Sequence, residues 1–209
     1  MDVDLNFIQE NEGFRSYGIW PSKELSGLTI GSGIDLSNFT KDDLIEAGVT
    51  KEDVKNASRW LAPKAGTPGP RGAKIMTKGN FYDAADRING VKVGSKVNWS
   101  EESLNNMHIW ALKGSYNNAK KVYEKLTKRG GLNRKFEDLT KAQKTVLVDL
   151  TYNAGANFII SKTTALENAI EKDDWSAIEG EFSSNNWAEL DRARHHKRAD
   201  LLASERFKE

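Results

Sequence analysis

The stretch "SGLTIGSGIDL" (residues 26–36) does most to restrict what this chain can fold into. Two glycines flank Ser32, two isoleucines flank the glycines, and Thr29 and Asp35 stand outside them. Read as one straight strand, it would separate Thr29 from Asp35 by about 20 Å, at roughly 3.3 Å per residue. Folded as a hairpin around a three-residue loop at 31–33, it pairs Ile30 with Ile34 and Thr29 with Asp35. Their β-carbons then lie about 5 Å apart. Glycine supplies the positive φ such a loop demands. A hydroxyl beside a carboxylate can hold a water between them; the plainer alternative is a Thr–Asp pair on an exposed hairpin.

Around this stretch the pattern is helical. Residues 2–12 read as a short amphipathic helix, with Leu5, Ile8 and Glu12 at i, i+3 and i+7 and Gly13 as its stop. Residues 14–36 mix Gly, Ser, aromatic and β-branched types and read as a small twisted hairpin sheet. Thr40 and Thr50 have the character of N-caps. "PKAGTPGPRG" (63–72) is a loop or hinge. A long helix is predicted after Ser100, interrupted by Gly130 and Gly131. Thr140 to Gln143 forms a T-x-x-Q capping box for an apolar helix through Tyr152, stopped at Gly155. Helices near 164–171 and 174–182 and a long one over about 187–206 complete the chain. The expected fold is α+β, mostly helical, with a small β lobe at about 13–40. A larger helical lobe comprises about 41–209 with helix 2–12, and a substrate cleft between such lobes is a common arrangement.

Composition excludes several classes. With 31 Lys and Arg against 30 Asp and Glu, no whole-protein electrostatic grip on nucleic acid is indicated. No run approaches the roughly 18 apolar residues of a spanning helix, so membrane insertion is not expected. Cysteine is absent, which removes disulfides, thiolate nucleophiles and cysteine metal sites. His108, His195 and His196 do not have metal-ligand spacing, and no cofactor or metal is expected. The acidic start "MDVDLNFIQENEGF" lacks a basic region followed by an apolar run, so synthesis in the cytoplasm without a secretory signal is expected.

Glu12 is the leading candidate for acid–base work. The helical spacing turns it toward the apolar side at the C-terminal end of its helix, and both burial and the helix end disfavour a charged carboxylate. A general acid near neutral pH needs that setting. An ordinary surface glutamate is the alternative. An acid on a helix end, followed closely by a hairpin carrying a carboxylate and a hydroxyl, makes a workable glycosidase site.

The run Glu12-Gly13-Phe14, then Tyr17 and Pro21, then "SGLTIGSGIDL", resembles the phage-lysozyme superfamily, and within it the pesticin-type branch of muramidases. That branch reads glutamate-glycine followed by Thr-Ile-Gly-x-Gly-x-Asp. The resemblance implies a lysozyme-like fold, Glu12 as catalytic acid, Thr29 as the water-positioning hydroxyl and Asp35 as the second carboxylate. "LTKAQKTVLVDLTYNAG" (139–155) is similar to the family's core helix with its aromatic-Asn-x-Gly ending, and "DDWSAIEGEF" and "RARHHKRADLL" follow in the expected order. The likeness covers roughly residues 5–40 and 135–203. Outside the pesticin branch the catalytic aspartate precedes the threonine; here Glu24 is the acid in that stretch and is held in reserve.

Tyr152 and Asn153 are implied substrate-groove residues, with a helix-ending asparagine as the alternative. Arg194 and Arg198, at i and i+4, are candidates to pair with Glu12 or contact sugar, or form part of a solvated basic face. The expected activity is hydrolysis of the β-1,4 bond between N-acetylmuramic acid and N-acetylglucosamine in peptidoglycan, by inversion. The expected partner is this glycan, acted on in the bacterial cell wall, with an immunity or inhibitor protein possible and a monomeric state expected. Two rivals remain open: a lytic transglycosylase using Glu12 alone, and a non-catalytic peptidoglycan-binding module.

Overall fold

The computed structural model describes residues 1–12, 16, 18, 27–67, 69, 97–155, 159, 164–184 and 189–205. Expectations that rest on Gly13, Phe14, Tyr17, Pro21, Glu24 and Trp187, and on most of 68–72, lie outside them. The described chain is mostly helical with one two-stranded antiparallel sheet, an α+β arrangement. None of its helices is long and apolar enough to cross a membrane. Two compact units divide it, one of residues 12–111 and one of residues 1–11 with 112–209.

The first unit is built around the hairpin. Strands β1 (Thr29–Ile30) and β2 (Ile34–Asp35) pair in the expected register, Thr29 opposite Asp35 and Ile30 opposite Ile34. Gly31 (φ 61°) and Gly33 (φ 88°) take the left-handed backbone of the loop, which side-chain-bearing residues avoid. A two-stranded ribbon cannot shelter its own apolar side. Leu28, Ile30, Ile34 and Leu36 are all buried, and Leu44, Val54, Trp60, Leu104 and Met107 pack into the same core. For that reason the hairpin's unit extends well past residue 40, where the sequence placed the end of a small lobe, and takes in several helices.

Those helices start where their caps require. Thr40 and Asp43 form a reciprocal capping box for α2 (Lys41–Glu46), and Thr50 caps α3 (Lys51–Ala57) by accepting from the Asp53 backbone N–H. Burial pushes the Asp53 carboxyl up, but hydrogen bonds from Ser103, Ser100 and Thr50 outweigh it and hold the group below its ordinary value. Asp53 thereby ties the start of α3 to Ser100, the residue before the long helix α4 (Glu101–Arg129).

The second unit contains the remainder of α4 and helices α5 (Lys141–Ala154), α6 (Thr164–Glu171), α7 (Trp175–Ser183) and α8 (Glu189–Glu205). Gly131 (φ 82°) follows the end of α4. The Thr140–Gln143 capping box opens α5 and Gly155 (φ 81°) closes it. Nine residues of α5 are buried, among Leu112, Tyr123, Phe136, Leu166 and Phe182, so it is the central helix of this core. Helix α1 (Leu5–Glu12) opens beneath Asp4, whose Oδ1 accepts from the backbone of Asn6 and Phe7. Its apolar side differs from the expected one. Val3 and Ile8 enter the core, whereas Leu5 is 38% exposed, so the buried side begins ahead of the helix, at Val3.

Candidate active site

The hairpin brings Thr29, Asp35 and Glu12 into one unit. Glu12 ends α1, and its carboxylate lies against the hairpin loop. A β-carbon built on Gly33 would stand 3.0 Å from Glu12 Oε2 and 3.7 Å from its carboxyl carbon. Glycine at 33 therefore serves two needs: the positive φ of the turn, and the space the carboxylate occupies. Glu12 Oε1 is buried, although the residue as a whole is only half-buried. Behind Glu12 the chain is anchored by backbone pairing. Gly18 N–H donates to Val97 O at 2.9 Å and Trp99 N–H to Ser16 O at 2.8 Å.

Asp35 has a structural duty that its pairing with Thr29 does not reveal. Its Oδ1 accepts from the Ser37 N–H (2.9 Å) and the Ser37 hydroxyl (2.7 Å), capping the short 3-10 turn Leu36–Asn38. Its Oδ2 accepts from the Gly27 N–H at 3.0 Å, across the base of the hairpin. A carboxylate offers about four acceptor positions, so roughly one is left for a water. Gly27 permits this closure, since a β-carbon there would fall 2.4 Å from Asp35 Oδ1. The Thr29 hydroxyl donates a long hydrogen bond of 3.4 Å to Gly27 O, which leaves it weakly held.

The loop is seated on α4. Ser32, at the centre of the near-palindrome, is fully buried, and its hydroxyl lies 2.5 Å from His108 Nδ1. His108 is buried too, and burial pushes its pKa down, so the imidazole is neutral near pH 7. One turn earlier on the same face, Leu104 lies beside Gly31. The Ser32–His108 pair is absent from the sequence-based site. The signal for it was present: Leu104, Met107 and His108 stand at i, i+3 and i+4, and a polar ring on an apolar stripe requires a partner.

The expected substrate-binding residues belong to the other unit. Tyr152 is half-buried against that unit's core, and Asn153 is exposed in the last turn of α5. Arg198 corrects the expectation of a sugar contact. It is fully buried, donates Nε to Asp149 Oδ2 at 2.8 Å and places Nη1 2.9 Å from His195 Nδ1. Arg194 forks onto the same carboxylate, Nε to Oδ2 at 3.1 Å and Nη2 to Oδ1 at 2.5 Å. Asp149 is itself fully buried, so two guanidinium groups answer one interior charge. The ring of His195 stacks on Phe182, with centroids 5.3 Å apart. Asn153 thus matches the helix-ending alternative, whereas a solvated basic face does not describe Arg194 and Arg198; α5 and α8 are joined through a buried ion cluster.

Compared with models of known protein families and with curated proteins, the sequence matches none.

Proposed function

We propose that this protein is a peptidoglycan hydrolase of the muramidase type, with Glu12 as its general acid. The observation that supports this reading most is the placement of the Glu12 carboxylate against the hairpin that carries Thr29 and Asp35. A carboxylic acid with one sheltered oxygen and one at a glycine-bordered loop is suited to protonate a glycosidic oxygen. An inverting mechanism needs the Glu12 and Asp35 carboxyl groups about 6.5–9.5 Å apart around a water. Thr29, opposite Asp35, is the hydroxyl that would steady that water. The resemblance of "TIGSGID" and Glu12 to pesticin-type muramidases supports the same assignment.

A second reading has its own support. Because Asp35 already accepts three hydrogen bonds, from Gly27 and Ser37, little of its acceptor capacity is left to hold a water. That favours a lytic transglycosylase in which Glu12 works alone and the sugar's own hydroxyl replaces water. Digestion of purified peptidoglycan, with mass analysis of the fragments, decides between them. New reducing ends mean hydrolysis, and anhydro-sugar ends mean transglycosylation. Glu12→Gln should abolish fragment release while leaving sedimentation with peptidoglycan unchanged. Fragment release by Glu12→Gln at the parent rate would refute both readings, and retained biological effect without any cleavage would mark a binding module.

A further inference from the structure

A serine hydroxyl 2.5 Å from an imidazole invites comparison with a nucleophile and its base. Burial excludes that use here. Ser32 is 0% exposed, so no polymeric substrate reaches its Oγ. The pair must act on what surrounds it.

Three consecutive loop residues meet three different things. Gly31 borders Leu104, Ser32 bonds His108, and Gly33 borders the Glu12 carboxylate. Leu104 and His108 both lie on α4, while Glu12 ends α1. The Ser32–His108 bond and the Gly31–Leu104 contact thus hold the loop toward α4, while Gly33 borders the carboxylate. Its height above α4 fixes how closely Gly33 approaches Glu12. Apolar contact alone is non-directional and tolerates sliding; a hydrogen bond to a buried ring does not, since breaking it leaves two polar groups without solvent.

We infer that His108 and Ser32 are positioning residues, which set the hairpin loop against the Glu12 carboxylate and so fix where that group presents its proton. Neither touches substrate. The inference rests on Glu12 being the working acid, and it predicts a loss in turnover rather than in binding. Misplacement by a fraction of an ångström to one ångström at an acting group costs about ten- to a hundredfold in rate.

The test uses the full chain with ¹³C-labelled glutamate, so that the Glu12 carboxyl resonance is read independently of activity. Ser32→Ala and His108→Leu should each move that resonance and lower kcat by about ten- to a hundredfold, with KM within about twofold. The double variant should be no worse than the poorer single one. His108→Asn places an amide oxygen where Nδ1 stood and should restore both readouts, whereas His108→Gln reaches the Nε2 position and should not. That amide pair keeps the test decisive where Ser32→Ala or His108→Leu fails to fold. Folded variants with an unmoved Glu12 resonance and parental kcat would overturn the inference, as would Asn and Gln behaving alike. A parent protein that cuts no peptidoglycan would defeat the muramidase reading instead, and the resonance would then decide the positioning role by itself.

Discussion

Glu12 and Gly33 meet at the tip of the hairpin, with Oε2 3.0 Å from the place a β-carbon on residue 33 would take. Gly33→Ala tests that contact. The φ of 88° makes any side chain costly there, by about 1–2 kcal/mol, and the new methyl group must also displace the carboxylate by a few tenths of an ångström. Gly31→Ala is the matched control: its φ of 61° carries similar strain, but its β-carbon would meet apolar side chains at ordinary contact distance, Leu104 at 3.4 Å and Ile34 at 3.6 Å. Both should lower the denaturation midpoint by similar amounts, and Gly33→Ala alone should lose lytic rate by about tenfold or more. Equal lytic rates in the two variants would remove the Glu12–Gly33 contact from the account.

Asp35 serves both the hairpin base and the proposed water, and two substitutions separate those roles. Asp35→Ala leaves the Gly27 and Ser37 N–H groups unanswered and should cost about 2 kcal/mol or more. Asp35→Asn keeps one acceptor oxygen and should cost less, about 1 kcal/mol. If Asp35 activates water, Asp35→Asn lowers hydrolysis by about 10²-fold or more at nearly parental stability. Asn activity close to the parent's would assign Asp35 to the fold alone and favour the transglycosylase reading; urea melts beside product analysis give both numbers.

The hairpin was legible in the sequence because its register follows from the turn: two glycines around one residue leave Thr29 no other partner than Asp35. The capped helices were legible for the same local reason, as Thr40, Thr50 and Thr140 each carry an acceptor to the position that needs it. What depends on distant chain segments was not. Asp35's bond to Gly27, the seating of Ser32 on His108, and the burial of Arg198 on Asp149 join residues 8, 76 and 49 positions apart. Spacing along one helix shows that Arg194 and Arg198 share a face, but it does not reveal that a buried carboxylate on α5 lies opposite. "RARHHKR" therefore read as a solvated or sugar-facing run, while its structural value lies inside.

That interior cluster makes a sharp stability prediction. Arg198→Met removes one guanidinium from a carboxylate with no exposure, and breaking a buried pair this way costs about 3–5 kcal/mol. Arg194→Met should cost less, since its side chain keeps 11% exposure and Arg198 still answers Asp149. Asp149→Leu strands both cations and should be the worst of the three. Denaturant midpoints at constant slope rank them; a loss below about 1 kcal/mol for Arg198→Met would mean that Asp149 is compensated without it.

His195 gives the protein a pH dependence of known sign. Burial first, and then the positive charges of Arg198, Arg194 and His196, push its pKa from the ordinary 6.5 down to about 3. Between those values the unfolded chain binds a proton that the folded chain refuses, so protonation favours unfolding. The stabilisation tied to a neutral His195 is complete above about pH 6.5 and is lost progressively as the pH falls toward 3. Burial shifts His108 in the same direction, so the two effects add. His195→Asn keeps an acceptor for Arg198 Nη1 in place of Nδ1 and removes the titration. At pH 7 the variant should be somewhat less stable than the parent, having lost the ring stacked on Phe182. Its unfolding free energy should then fall less steeply between pH 6.5 and 4, by at most about one proton's worth of slope. Parallel curves for parent and variant would show that the folded state admits the proton, and that the imidazole beside Arg198 is not held neutral.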